Sequence, residues 1–131
     1  MSRSMALMTY LVRDYDEAIQ FFVDVLGFAL LEDKPLGNAK RWVRITPDSS
    51  SPFALLLARA ATPEQVALIG RQTGGRVFLF LQTDDFDRDY REMTERGVRF
   101  LELPRCEEYG RVVVFEDLYG HKWDLIERRS T

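Results

Sequence analysis

Two short, almost wholly apolar runs, Met5 to Val12 and Val77 to Leu81, stand at corresponding places in the chain. Runs of this kind predict strands covered on both faces rather than half exposed. Each is followed by an aspartate able to cap a helix. Asp14 has Glu17 three residues on, the spacing of a capping box, and Ala18, Ile19, Phe22 and Leu26 follow at helical spacing until Gly27. Asp85 opens a second helix with Phe86, Tyr90 and Met93 on one stripe and Gly97 at its end. The remaining strands in the first half are Phe28 to Glu32, Lys40 to Thr46 and Phe53 to Ala58, with Pro47 to Pro52 as an exposed serine-rich turn. In the second half they are Arg99 to Leu103, Arg111 to Glu116 and Lys122 to Arg128.

The halves are copies of one pattern. An offset of seventy lays Arg111-Val112-Val113-Val114-Phe115 on Arg41-Trp42-Val43-Arg44-Ile45, and Trp123-Asp124-Leu125-Ile126 on Phe53-Ala54-Leu55-Leu56. Gly97 answers Gly27 at the same offset, and Asp85-Phe86-Asp87 answers Asp14-Tyr15-Asp16 at seventy-one. A duplicated module must bury the same face twice, so this similarity outranks local propensity as a fold signal. The chain reads as a single domain over 1–131, with module 1 at about 5–59, a linker at about 62–72 and module 2 at about 75–128. In the linker, Thr62 caps, Pro63 takes the first helical position and Gln65 the third, which predicts a short helix from Pro63 to about Ile69. Thr73-Gly74-Gly75 is a hinge rather than a phosphate loop, because no strand leads into it and no Gly-Lys-Ser signature follows.

Helices cover one face of a sheet, and strand alternation sorts the rest. With Tyr10, Val12, Leu55, Leu57, Leu79, Leu81, Val113, Phe115, Trp123 and Leu125 toward the helices, the opposite face carries a mostly apolar set. It includes Leu7, Thr9, Leu11, Trp42, Arg44, Ala54, Leu56, Phe78, Phe80, Gln82, Val112, Val114, Glu116, Asp124 and Ile126. Apolar walls with a few polar groups are the make-up of a ligand cavity.

Composition narrows the field. A formal net charge of −3 with acids and bases intermixed leaves no basic footprint for nucleic acid. No apolar run reaches membrane-spanning length and the first residues lack a signal-peptide pattern, so a cytoplasmic location without membrane partners is expected. Cys106 is the single cysteine, which excludes an internal disulfide and a cysteine-cluster metal site. His121, the single histidine, falls in the last turn on the helix side, as packing or as a hydrogen-bonding group near the cavity mouth.

The opening Val12-Arg13-Asp14-Tyr15-Asp16-Glu17-Ala18 and the closing Phe115-Glu116-Asp117-Leu118-Tyr119-Gly120-His121-Lys122-Trp123-Asp124-Leu125-Ile126-Glu127 resemble the glyoxalase, bleomycin-resistance and extradiol-dioxygenase superfamily, the vicinal oxygen chelate proteins. The resemblance implies an α+β fold of two tandem βαβββ modules forming a cupped mixed sheet with helices on its convex face. It also implies a homodimer. Enzymes of that superfamily hold a divalent metal at four inward positions, which here fall on Leu7, Ala54, Phe78 and Asp124. Three of those side chains cannot coordinate a cation, and one carboxylate alone holds a divalent ion weakly, so no metal cofactor is expected.

Candidate ligand-binding residues are Thr9, Trp42, Arg44, Phe78, Phe80, Gln82, Tyr109, Glu116 and Asp124. The aromatic members serve equally as core or as a dimer interface. Asp124 and Glu116 fall on one face of neighbouring strands; a close pair raises one pKa and supplies a general base, whereas an arginine between them makes an ion-pair network. The favoured function is metal-independent binding of a small organic molecule, after the bleomycin-resistance proteins of the resemblance. The alternatives are a superfamily enzyme, either a metal-dependent lyase, isomerase or dioxygenase or a metal-free acid-base catalyst using Asp124 and Glu116, and a dimeric interaction domain.

Overall fold

The computed structural model describes residues 2–129, which form two compact units dividing between Ile69 and Gly70. Each is an α+β layer pair, a mixed sheet with a helix on one face. In the first unit β1 (Leu7–Val12) leads into α1 (Tyr15–Gln20), which widens into a π-helical turn (Phe21–Val25). Then come β2 (Ala29–Gly37), β3 (Lys40–Thr46), β4 (Ala54–Arg59) and α2 (Pro63–Ala67). The strand order is β1-β4-β3-β2, with β1 parallel to β4 and the other pairs antiparallel.

The caps expected from sequence form: the Asp14 carboxylate accepts the Glu17 N–H at 2.8 Å, and the Thr62 hydroxyl accepts the Gln65 N–H at 3.1 Å. Gly27 lies thirteen residues beyond Asp14 whereas Gly97 lies twelve beyond Asp85. The π-helical turn takes up the extra residue. That insertion is why the offset between modules drops from seventy-one to seventy across the helix.

β2 runs past the expected end at Glu32 to Gly37, through bulges at Leu31 and Leu36. Pro35 is tolerated because β2 is an edge strand. Asn38 and Ala39, both at positive φ (54° and 64°), then close a two-residue turn of the primed kind that matches strand twist.

The second unit contains β5 (Val77–Gln82), α3 (Phe86–Glu95), β6 (Arg99–Phe100), β7 (Arg105–Glu107), β8 (Gly110–Glu116) and β9 (Lys122–Arg128). Its order is β5-β9-β8-β6, with β7 also pairing β8 and only β5 and β9 parallel. The strand expected from Arg99 to Leu103 is cut short, and the ladder resumes only after Pro104. The Glu102 side chain patches the gap: its Oε2 accepts the Val114 N–H at 3.0 Å, a donor that a continuous strand would have paired.

The helix side of each sheet is the core. Tyr10, Val12, Leu55 and Leu57 are buried in the first unit, and Val113, Phe115, Trp123 and Leu125 in the second. Leu79 and Leu81 are only partly covered. Coverage of β1 and β5 on both faces is not found: Thr9 is exposed and Phe80 is 66% exposed. Both are edge strands of their sheets with a helix on one side only.

The β8–β9 turn is built on one buried carboxylate. Asp117 Oδ1 accepts the N–H groups of Tyr119 and His121 at 2.9 and 3.1 Å, and Oδ2 accepts Trp123 Nε1–H at 2.9 Å. Buried charge persists only when its lone pairs are answered in this way. Gly70 permits a neighbouring close approach, since a Cβ there would stand 1.9 Å from the Tyr119 carbonyl oxygen. Asp117→Ala orphans the buried indole and two backbone donors, and is expected to lower unfolding free energy in urea by about 3–5 kcal/mol. Asp117→Asn, which keeps one acceptor, should lose less than half of that.

Candidate ligand-binding faces

The face of the first sheet turned away from α1 carries one row across all four strands: Thr9, Leu56, Arg44 and Glu32 are successive register partners. The bulge at Leu31 puts Glu32 in that row; without it Glu32 would pair with Val43 and point into the core. Glu32 Oε2 meets Lys34 Nζ at 2.9 Å, while Oε1 accepts Arg44 Nε–H and Trp42 Nε1–H, the latter at 3.2 Å. Lys34 foremost, with Arg44 and Trp42 behind it, pushes the Glu32 carboxyl down to about 2. Trp42 and Arg44 are half-buried, Arg44 pairs with Leu56 and Leu56 with Thr9, so the sequence candidates of this module share one face of the sheet.

In the second unit Asp124 pairs with Val114 on one side and Phe80 on the other. A bulge separates Val77, opposite Lys122, from Leu79, opposite Trp123. It corrects the expectation for Phe78, whose ring leaves the open face and packs at 4.5 Å from the buried His121 ring. Val77 takes its place, and with Gly75, Leu101, Glu102, Val114 and Lys122 lines a shallow recess of about 300 Å³. Asp124 Oδ1 is buried and makes no hydrogen bond to any described residue. Desolvation raises its pKa, opposed by the charge of Arg105 and reinforced by that of Glu102.

The carboxylate neighbour of Asp124 is thus Glu102 and not Glu116. Glu116 pairs with Lys122 across the ladder and holds Arg99 Nη1 at 3.1 Å, so its charge is answered on the spot. Gln82 and Tyr109 are exposed, at the end of β5 and in the β7–β8 turn respectively. His121 is a packing residue: it is 2% exposed, its Nε2 accepts the Gln72 N–H at 3.2 Å, and its Nδ1 lies 3.4 Å from Asp117 Oδ2. Cys106 is an exposed free thiol.

The seventy-residue offset needs one further correction. It holds for β3 and β8, where Arg44 answers Val114, but Arg44 pairs with Leu56 whereas Val114 pairs with Asp124. Seven residues join β3 to β4 and five join β8 to β9, so Asp124 answers Leu56 rather than Ala54. Ala54 itself is buried, as is Val112 on the expected open face. Neither alanine nor leucine offers a donor, and among the described residues no group of three His, Cys, Asp or Glu side chains could hold a metal ion. The residues present do not fit the divalent centre of the superfamily enzymes.

Glu32, Glu102 and Arg105 were not legible as site residues. The signal available was the pair Leu31-Glu32 and Leu101-Glu102, which the duplication places in register at seventy. Arg105 reaches Glu102 at 3.0 Å and Glu107 at 2.6 Å, closing the segment between β6 and β7 over the sheet.

The sequence profile of the glyoxalase/bleomycin resistance protein/dioxygenase superfamily matches residues 4–125. An uncharacterized protein of Shewanella frigidimarina (strain NCIMB 400) is 52% identical over 128 residues, covering 97% of this chain and 95% of its own. Among solved structures, UcmS2 superposes with a TM-score of 0.82 at 25% identity, over 96% of this chain and 98% of its own. TnmS3, described as an antibiotic binding protein from Streptomyces sp. CB03234, gives 0.78 at 29% identity over 98% of both chains.

Two titrations check these electrostatics. The Glu32 side-chain carboxyl, followed by carbon NMR, should titrate at about 2. Because that folded-state value is depressed, its contribution to stability is complete above the unfolded pKa near ~4.3 and is lost as pH falls through the folded value. Asp124 has the opposite sign, since burial raises its pKa and the ionised form is the disfavoured one. Asp124→Asn should therefore raise Tm at neutral pH, with the advantage vanishing below the unfolded carboxyl pKa of ~3.9.

Proposed function

The chain belongs to the glyoxalase/bleomycin resistance protein/dioxygenase superfamily, and from that premise we propose that it binds a small organic molecule without a metal ion. The observation that carries this reading is the chemistry of the open sheet faces. The rows Leu7–Ala54, Thr9–Leu56 and Phe80–Asp124, where superfamily enzymes would place their donors, contain a single carboxylate among apolar side chains and one threonine hydroxyl. Such a surface takes up an apolar skeleton and orients it through a few polar groups. The likeness to TnmS3, an antibiotic binding protein, supports a sequestering role. Homodimer formation and a cytoplasmic setting belong to the same reading. Phe80 and Leu103, 66% and 82% exposed, supply apolar surface for a second copy, and the exposed Cys106 suits a reducing compartment.

A second reading, metal-free acid-base catalysis, draws on Asp124 alone. Its buried Oδ1 has no hydrogen-bond partner among the described residues and desolvation raises its pKa, the direction that strengthens a carboxylate as a base. Glu116, held by Arg99, does not join it.

Equilibrium dialysis against Ni, Zn, Mn and Fe(II) should leave the protein without stoichiometric metal. Tight binding at unit stoichiometry, abolished by Asp124→Ala, would overturn the proposal. A thermal-shift screen of uncharged and charged aromatic compounds should yield ligands, since saturation at a hundred times Kd adds about 2.7 kcal/mol of stability.

A further inference from the structure

The Arg44 guanidinium is tethered at one edge only. Its Nε–H is given to Glu32, while Nη1 and Nη2 have no acceptor among the described residues. The side chain is nonetheless only 29% exposed, standing in a row with Leu56 and Thr9 and sharing its carboxylate partner with the Trp42 indole. An arginine in this state presents a flat pair of N–H donors at a fixed angle, the arrangement that matches a carboxylate bidentately.

The local charge has the right sign. Lys34 and Arg44 both lean on the single carboxylate of Glu32, which stays ionised throughout the neutral range, so the trio keeps one positive charge in excess. The other acids near β2 and β3 are engaged elsewhere. Asp33 and Asp16 are bound to Arg41, on the helix side of the sheet over the Tyr15 ring. The neighbour of Arg44 on β4 is the apolar Leu56, and the Trp42 indole lies along the same strand as Arg44.

We infer that the open face of the first sheet is a binding site for a planar aromatic carboxylate, its acid group seated on the Nη1 and Nη2 donors of Arg44 and its ring on Trp42 and Leu56. Glu32 is the positioning residue, holding Arg44 by Nε and Trp42 by Nε1 through one oxygen. This rests on the ligand-binding reading above and names the chemical class that the site takes.

The experiment is an NMR titration of the full chain with 2-naphthoate and benzoate, set against the matched neutral amides 2-naphthamide and benzamide. The indole Nε1–H resonance of Trp42 should move with the acids, and that of the buried Trp123 should stay in place as an internal control. The acids should bind about tenfold more tightly than their amides. Arg44→Lys keeps the charge but loses the fork and should remove most of that preference. Glu32→Ala removes the oxygen that holds both donors, so it leaves more net positive charge yet releases the tether. A fall in naphthoate affinity supports positioning, and a rise overturns it. Acids that bind no better than amides, or an Arg44→Lys variant with undiminished preference, would overturn the anion assignment while leaving the ligand-binding reading intact if the amides still bind. If neither class moves any resonance and the thermal-shift screen is also empty, both fall.

Discussion

A sheet has two faces, and each of these sheets has one helix packed on it. That imbalance governs the rest. On the helix side the modules use the same lock twice. Arg41 lies over the Tyr15 ring and binds Asp16, while Arg111 lies 4.4 Å over the Phe86 ring and binds Asp87 at 2.7 Å. The magnitudes say which part of the lock holds. Exposed ion pairs of this kind give less than about 1 kcal/mol and a cation over a ring gives about as much again, whereas burying Phe86 stabilises by roughly 2–3 kcal/mol. The aromatic side chain therefore contributes more to seating the helix than the arginine that covers it. The other face is left with apolar side chains and a few charges, and that residue of the folding problem is where function is to be sought.

Much of this was legible in the amino-acid order, for definite reasons. Asp14, Asp85 and Thr62 announce helix starts because a side-chain oxygen before an apolar stripe has few other uses, and all three accept the expected N–H. Alternation placed Tyr10, Val113, Phe115, Trp123 and Leu125 correctly on the buried side because a period of two leaves no choice of face. Register was harder. A bulge reverses the face of every residue on one side of it and leaves no mark in composition, so alternation alone puts Phe78 on the open face and leaves Glu32 off it. Turn length hid the true counterpart of Asp124 in the same manner, because two additional residues between β3 and β4 preserve the face while sliding the row.

Those departures concentrate where the chemistry does. The bulge at Leu31 brings a carboxylate onto a surface that alternation would have left to Leu31, and that carboxylate aligns both Trp42 and Arg44. In the second module the corresponding edge lapses after Phe100, and Glu102, in the position that answers Glu32, turns to the Val114 N–H and to Arg105 instead. Corresponding acids of the two modules do two different jobs. In the first module it orients donors; in the second it replaces a missing strand.

The same divergence sets the electrical character of each open face. In the first module the acid is outnumbered by Lys34 and Arg44, and the surface offers donors. In the second, Glu102 and Glu107 share Arg105, and Asp124, which feels the charges of Arg105 and Glu102, has a buried oxygen that receives no hydrogen bond from any described residue. Leaving such an oxygen unanswered costs free energy, of the order of 1–3 kcal/mol for a polar group and more when it is charged. Apolar replacement at position 124 would remove that cost, so stability alone does not account for an aspartate there.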